Sequence, residues 1–320
     1  MSPRVQQESR PRFFQGEWAA HLSLMGFALL SGSAYVGAKL ALKGVGPFST
    51  AFLRFLVACL ITWPVLKLTS GIQPIRKEHL GYLVAHGLFQ TTFYFGLQYY
   101  GLQFTTANNT SLIVNTRPIF LAVLAVLVYH ERFSLLQWFA LFLSFCGVVI
   151  ILYDPAAAFM PNHLFGDFLI VLNALSGALG VLFGKKLLQE YKPFTILVYQ
   201  ITIGMLGLLP LALLESGGSI SFSQAAWGPI IYLAIFSTAI AQTSFNWGLA
   251  RLPVARSGVY FFIVPVVNVI LAYFIFGEPI TWHLLLGGFL IVLGAYMVNS
   301  IGQKRETQEL LKTVKPSDLV

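Results

Sequence analysis

The chain has 320 residues, of which 57% are apolar and 10% charged, and its mean hydropathy is +0.74. An ordinary water-soluble domain is about one quarter charged, so the composition excludes one and makes a lipid bilayer the expected partner. The net charge of +8 does not indicate nucleic acid, because the basic residues sit in short gaps between apolar runs and form no continuous polar face.

Apolar runs long enough to cross about 30 Å of hydrocarbon fall at residues 18–41, 48–68, 79–101, 106–128, 134–153, 166–187, 193–214, 227–249, 254–276 and 282–300. The expected fold class is therefore an all-α integral membrane protein with ten transmembrane helices, flanked by polar tails over 1–17 and 301–320. The first run begins near Trp18 and has no small-residue cleavage site after it, so it reads as an uncleaved span. Cys59 and Cys146 lie inside apolar runs, and their spacing fits neither a disulfide framework nor a metal site. With the N-terminus in the cytoplasm, sixteen Lys and Arg lie on the inner side, and two, Lys39 and Lys43, on the outer side. The positive-inside tendency favours that orientation, and an even number of spans then leaves both termini cytoplasmic.

One stretch occurs twice. Gly101 to Gly147 aligns without a gap to Gly248 to Gly294, 147 positions later, matching Gly101-Leu102 with Gly248-Leu249, Pro118 with Pro265, and Glu131 with Glu278. At an offset of 146, Pro47-Phe48-Ser49 matches Pro193-Phe194-Thr195, and Pro64 matches Pro210. Register held over such a length indicates internal duplication, with one repeat over 18–153 and the other over 166–300. Each repeat has five spans, an odd number, so the second is inverted relative to the first. Inverted repeats are a transporter architecture, in which rocking of one half on the other exposes a shared central site to each side in turn.

Two charges fall inside spans. Arg117 lies near the middle of the fourth, where a charge costs at least about 2.5–3.5 kcal/mol. It either offers a charge-assisted contact to an anionic group on a cargo or holds carbonyls freed by Pro118 and neighbouring amides. On an ideal helix Arg117 points opposite Asn115, so both reach one cavity only if Pro118 distorts that turn. Arg54 sits under two turns from the outer end of the second span and is expected to reach toward water. His86, Gln90, Tyr94 and Gln98 recur every four residues along the third span, and Thr238, Gln242 and Asn246 along the eighth. Asn108, Ser111 and Asn115 add polar groups to the fourth. Lipid-facing amides are costly, so these stripes face either other helices, as interhelical hydrogen bonds, or a lined pathway. Asn173, Asn268, Gln200, Tyr35, Tyr199 and Tyr260 are weaker candidates. His86 is suited either to relaying protons or to a structural hydrogen bond. Glu131 and Glu278, each followed three residues on by a hydroxyl (Ser134, Thr281), read as turn architecture beside a helix cap. Gly180 and Gly184, in an apolar helix, read as a close-packing pair.

The run from Pro118 to Glu131-Arg132-Phe133-Ser134 and Gly147-Val148 resembles the ten-helix EamA-type branch of the drug/metabolite transporter superfamily. So do Pro265 to Gly277-Glu278-Pro279-Ile280-Thr281 and Gly294, and Pro47 with Arg54. His130 and Ser31 depart from the usual pattern. The resemblance covers about 20 to 300 and implies a plasma-membrane permease for small metabolites, often an exporter. It also implies a site between helices one to four and six to nine, with helices five and ten peripheral. The residues themselves point to a secondary transporter of small polar solutes, amino-acid-like or bearing an anionic group; a lipid-intermediate flippase is the alternative. No cluster of catalytic groups suggests an enzyme, and no cofactor or metal motif is present. No ATP site is recognisable, so any coupling is to an ion gradient, with protons the candidate. The oligomeric state stays open.

Overall fold

The computed structural model describes residues 13–69, 71–129, 134–153, 162–218, 223–249 and 259–313; Glu131 lies outside them. Helices α1 (Phe13–Ala41) and α2 (Pro47–Thr69) are uninterrupted. α3 runs through Leu80–Gly87, a π-helical segment Leu88–Phe93 and Tyr94–Leu102. α4 is in two pieces, Ala107–Val114 and Arg117–Tyr129, and α5 is Leu135–Leu152. In the second half α6 is His163–Glu190 and α7 is Pro193–Glu215. α8 passes through Gln224–Tyr232, a second π-helical segment Leu233–Ile240 and Ala241–Leu249. α9 opens with a 3-10 turn, Val259–Phe262, and continues as Ile263–Phe276, and α10 is Trp282–Thr313. The helices thus stand at the ten places where the apolar runs lie. Five stretches, Trp18–Ala41, Pro47–Thr69, His163–Glu190, Pro193–Glu215 and Gln224–Phe245, are each long and apolar enough to cross a bilayer.

Local chemistry sets the boundaries. α2 and α7 both begin at a proline, whose missing N–H costs nothing in the first helical turn. Ser134 and Gln137 form a capping box at the start of α5, and Thr281 accepts from the Leu284 amide at the start of α10. Two expectations need correction. The fourth span is one run in the sequence but is broken at Asn115 and Thr116, because Pro118 has no N–H to donate to Val114. The last helix does not stop near residue 300; it continues to Thr313 through Gln303, Lys304, Arg305, Glu306 and their neighbours, which are strong helix formers in water.

Packing follows the duplication. α2 lies against α7, α4 against α9 and α5 against α10, so each of these helices meets its own counterpart, while α1 packs on α8 and α9, and α6 on α3 and α4. This exchange relates two five-helix units by a two-fold axis, and five crossings per unit put that axis in the membrane plane. The α5–α10 pair is tight: a Cβ on Gly147 would lie 2.6 Å from the Gly287 carbonyl oxygen, and one on Gly287 2.7 Å from that of Gly147. The pair's far side exposes Leu135, Phe142, Phe145, Leu285 and Phe289, as lipid-facing positions do. The other eight helices surround the middle of the molecule.

Candidate functional site

α1, α2, α3, α7 and α8, together with the start of the second piece of α4, line a central cavity of about 180 Å³. Its polar wall comprises Ser31 and Tyr35 of α1, Arg54 of α2, and Gln90, Tyr94, Gln98 and Tyr99 of α3. Arg117 of α4, Gln200 of α7, and Ser237, Thr238 and Gln242 of α8 complete it. Phe27, Phe55, Phe95, Leu197 and Ile201 supply apolar surface. Among the described residues no carboxylate lines this space.

Arg117, the first residue after the break in α4, lines the cavity. Its Nη2 donates to Gln90 Oε1 at 3.0 Å, and its guanidinium carbon lies 5.5 Å from the centre of the Tyr94 ring. Three glycines of α6 make room for this arrangement. A Cβ on Gly177 would come within 2.8 Å of the Tyr94 ring and 3.0 Å of Arg117 Nε, one on Gly180 within 2.6 Å of Gln90 Oε1, and one on Gly184 within 2.6 Å of the His86 ring. The polar stripe of α3 is therefore seated on a glycine stripe of α6. Asn115 stays off the cavity and donates to the Ser111 carbonyl at 2.6 Å.

Arg54 does not reach toward outside water as its sequence position suggested. It is 4% exposed, and it donates to Thr238 Oγ1 (2.9 Å), Tyr99 OH (2.7 Å) and Ser237 Oγ (3.3 Å). Its guanidinium carbon stands 4.7 Å from the centre of the Phe95 ring. Gln200, 146 positions later, occupies the matching place in α7 and donates to Thr91 Oγ1 at 3.1 Å. Thr91 and Thr238 are 147 positions apart, each in the π-helical segment of its half. The same bond is therefore built twice, once with a guanidinium and once with a neutral amide.

The π-helical segments free backbone groups that the site's surroundings satisfy. Thr238 donates to the Leu233 carbonyl, Ser176 to that of Phe89 and Asn173 to that of Tyr94. They also shift the helical register, which explains why Ser237 and Tyr99, each one residue off the four-residue spacing, line the cavity without having stood out in the sequence. Gln98 is 6% exposed, and its Oε1 has no hydrogen-bond donor among the described residues.

Other singled-out residues lie elsewhere. His86, 6% exposed, pairs through Nδ1 with the Gly180 carbonyl at 2.7 Å. Asn108 is buried at the α4–α9 contact beside Asn268, whose Nδ2 donates to the Ala107 carbonyl and to Ser111 Oγ. Tyr260 pairs with His21, and Tyr199 donates to the Gln73 carbonyl. Asn246 lies on α8, and Pro265 is buried in the first turn of α9 beyond its 3-10 start. Glu278, 7% exposed, accepts from the amides of Ala107 and Asn108, both at 3.0 Å, and from Lys39 Nζ at 2.7 Å. It caps a helix of the opposite unit as well as ending its own. Asp167, at the start of the second turn of α6, is fully buried and accepts from Thr105 Oγ1 at 2.5 Å and Asn109 Nδ2 at 3.2 Å.

Two interlocked five-helix units around a polar cavity are the architecture of a membrane transporter built from inverted repeats. The chain belongs to the EamA-like transporter family, whose model matches residues 18–153 and again 164–300. It is similar to an uncharacterized transporter of Archaeoglobus fulgidus, 28% identical over 287 residues that cover 88% of this chain and 97% of the relative. It is also similar to the uncharacterized transporter YyaM of Bacillus subtilis, 25% identical over 288 residues, covering 88% and 93% respectively. One solved structure superposes on 91% of this chain and 99% of its own with a TM-score of 0.60. At 16% identity that likeness concerns the fold alone.

Proposed function

We propose that this transporter moves small polar solutes bearing an anionic group, amino-acid-like metabolites among them, across the plasma membrane by alternating access, in the direction of export. The observation that carries the reading is that two guanidiniums, Arg54 and Arg117, border one cavity at the seam of the two units. No described carboxylate forms an ion pair with either of them. Water-poor surroundings strengthen a charge-assisted contact to an anion. The excess of Lys and Arg in the connections on one side supports cytoplasmic termini, and energy would come from an ion gradient, with protons the candidate. A volume of about 180 Å³ is below the roughly 300–1,000 Å³ of pockets that hold drug-sized ligands, which favours a small solute over the lipid-linked cargo of a flippase. The test compares cells carrying wild-type or Arg117→Gln protein at matched membrane abundance, with metabolites in the medium measured by mass spectrometry. Wild type should enrich anion-bearing metabolites outside the cell, and the variant should not. Identical media would overturn the reading, and a change confined to lipid headgroup accessibility would favour the flippase.

A further inference from the structure

The charge of the solute can be narrowed, on the basis of the reading above. Arg54 and Arg117 flank one aromatic pair: the Tyr94 and Phe95 rings are 4.8 Å apart, with the Arg54 guanidinium 4.7 Å from Phe95 and that of Arg117 5.5 Å from Tyr94. Arg54 is held by three hydroxyls and Arg117 by one amide oxygen. These partners position the guanidiniums, and among the described residues no carboxylate cancels either charge.

The duplicated half builds the matching places without either charge. Gln200, at the place of Arg54, makes the matching bond to Thr91 without one. At the place of Arg117, immediately before Pro265, stands Val264, which is 6% exposed. Two like charges bordering one cavity repel each other, and Arg54, at 4% exposure, is also desolvated, so a ligand carrying one negative charge relieves only part of the cost. We propose that the cavity binds a compact dianion, a short dicarboxylate or a phosphomonoester, with one anionic site directed to Arg54 and the other to Arg117.

The experiment uses purified full-length protein in detergent, with binding read from thermal stabilisation across a solute titration. One series holds the skeleton and changes the charge: succinate, its monoamide succinamate and its diamide succinamide. A second compares glycerol 3-phosphate with glycerol. Succinate or glycerol 3-phosphate should bind wild type at least about tenfold more tightly than its less charged counterpart, the low end for a desolvated charge pair; the series that responds identifies the anionic group. Arg54→Gln, which copies the amide already present at Gln200, should bring succinate and succinamate to within about twofold of each other, whereas Arg54→Lys should keep the preference. Equal binding of succinate and succinamate together with no preference for glycerol 3-phosphate, or an undiminished dianion preference in Arg54→Gln, overturns the proposal. Binding of succinamate or a zwitterionic amino acid without dianion preference would refute the dianion while leaving the anion-bearing transport reading standing. If export also fails the Arg117→Gln comparison, both fall.

Discussion

Replacing Glu278 by glutamine tests what joins the two units at the Lys39 end. The carboxylate serves three donors, the Ala107 and Asn108 amides at the start of α4 and Lys39 Nζ, and it lies where a helix N-terminus favours negative charge. In Glu278→Gln the amide oxygen can serve one backbone N–H while the new NH₂ group faces the other. A buried N–H left without an acceptor costs about 1–3 kcal/mol. Lys39 also loses its partner; its side chain keeps 21% exposure, so that loss is nearer about 1 kcal/mol than the roughly 3–5 kcal/mol of a fully buried pair. The sum is about 3 kcal/mol, or roughly 4–5 °C for a chain of this size. The assay is recovery of monodisperse protein after heating in detergent, run beside Lys39→Met and the double variant. Lys39→Met alone should lose only the smaller share, about 1 kcal/mol. The double variant should recover part of the loss seen in Glu278→Gln, because no unpaired cation remains beside the amide. A Glu278→Gln protein within a degree of wild type, or a Lys39→Met protein equally damaged, would refute the capping role.

Gly180→Val should lower membrane abundance and abolish transport by the protein that remains, because the new side chain starts 2.6 Å from Gln90 Oε1 and 2.9 Å from Gln90 Cα, which pushes α3 off α6 and displaces the group that holds Arg117. Gly26→Val, with nothing within 4 Å of its Cβ position, is the silent control, and equal transport by both would refute the seating of α3 on α6. Gln98→Leu should raise thermal stability by about 1–3 kcal/mol, since it removes a buried acceptor that has no donor among the described residues. It should also slow transport of solutes that carry an N–H or O–H group, and a destabilised variant with normal transport would count against Gln98 as a solute contact.

How much of this was legible in the sequence depends on whether a feature is local. The ten spans and their inversion could be read because apolar length and a fixed offset survive in one dimension. The stripe of Gln90, Tyr94 and Gln98 was also readable, but its exact face was not, because π-helical segments in α3 and α8 add residues to a turn and no propensity announces them. Gly180 and Gly184 read as packing residues, yet what a glycine admits depends on the helix across from it, here the polar face of α3. Arg54 illustrates the same limit. Near a span end, reach toward outside water was the cheaper expectation, and three hydroxyls from α3 and α8 reversed it. Glu278 looked like a local turn residue because a carboxylate at a helix end has an obvious nearby use, whereas its donors at Ala107 and Asn108 come from the start of α4.

The duplicated bond has a consequence for motion. Arg54 to Thr238 and Gln200 to Thr91 each join one unit to the other, on α2–α8 and on α3–α7. If the units rock as alternating access requires, the two bonds are strained in opposite swings. A hydrogen bond from a charged group contributes about 1.5–3 kcal/mol and a neutral one about 0.5–1.5 kcal/mol, so the halves are unequally tied by about 1 kcal/mol, about a fivefold bias in population. The resting protein should therefore favour the state in which the Arg54 bond is intact, and Arg54→Gln should remove most of that bias by making the two ties alike. Spin labels on the α1–α2 and α7–α8 turns would read this as a redistribution between two distances in ligand-free protein. An Arg54→Gln distribution that superposes on that of wild type would mean that the Arg54 tie does not set the resting state, and that the bias lies instead in contacts such as Glu278 with the start of α4.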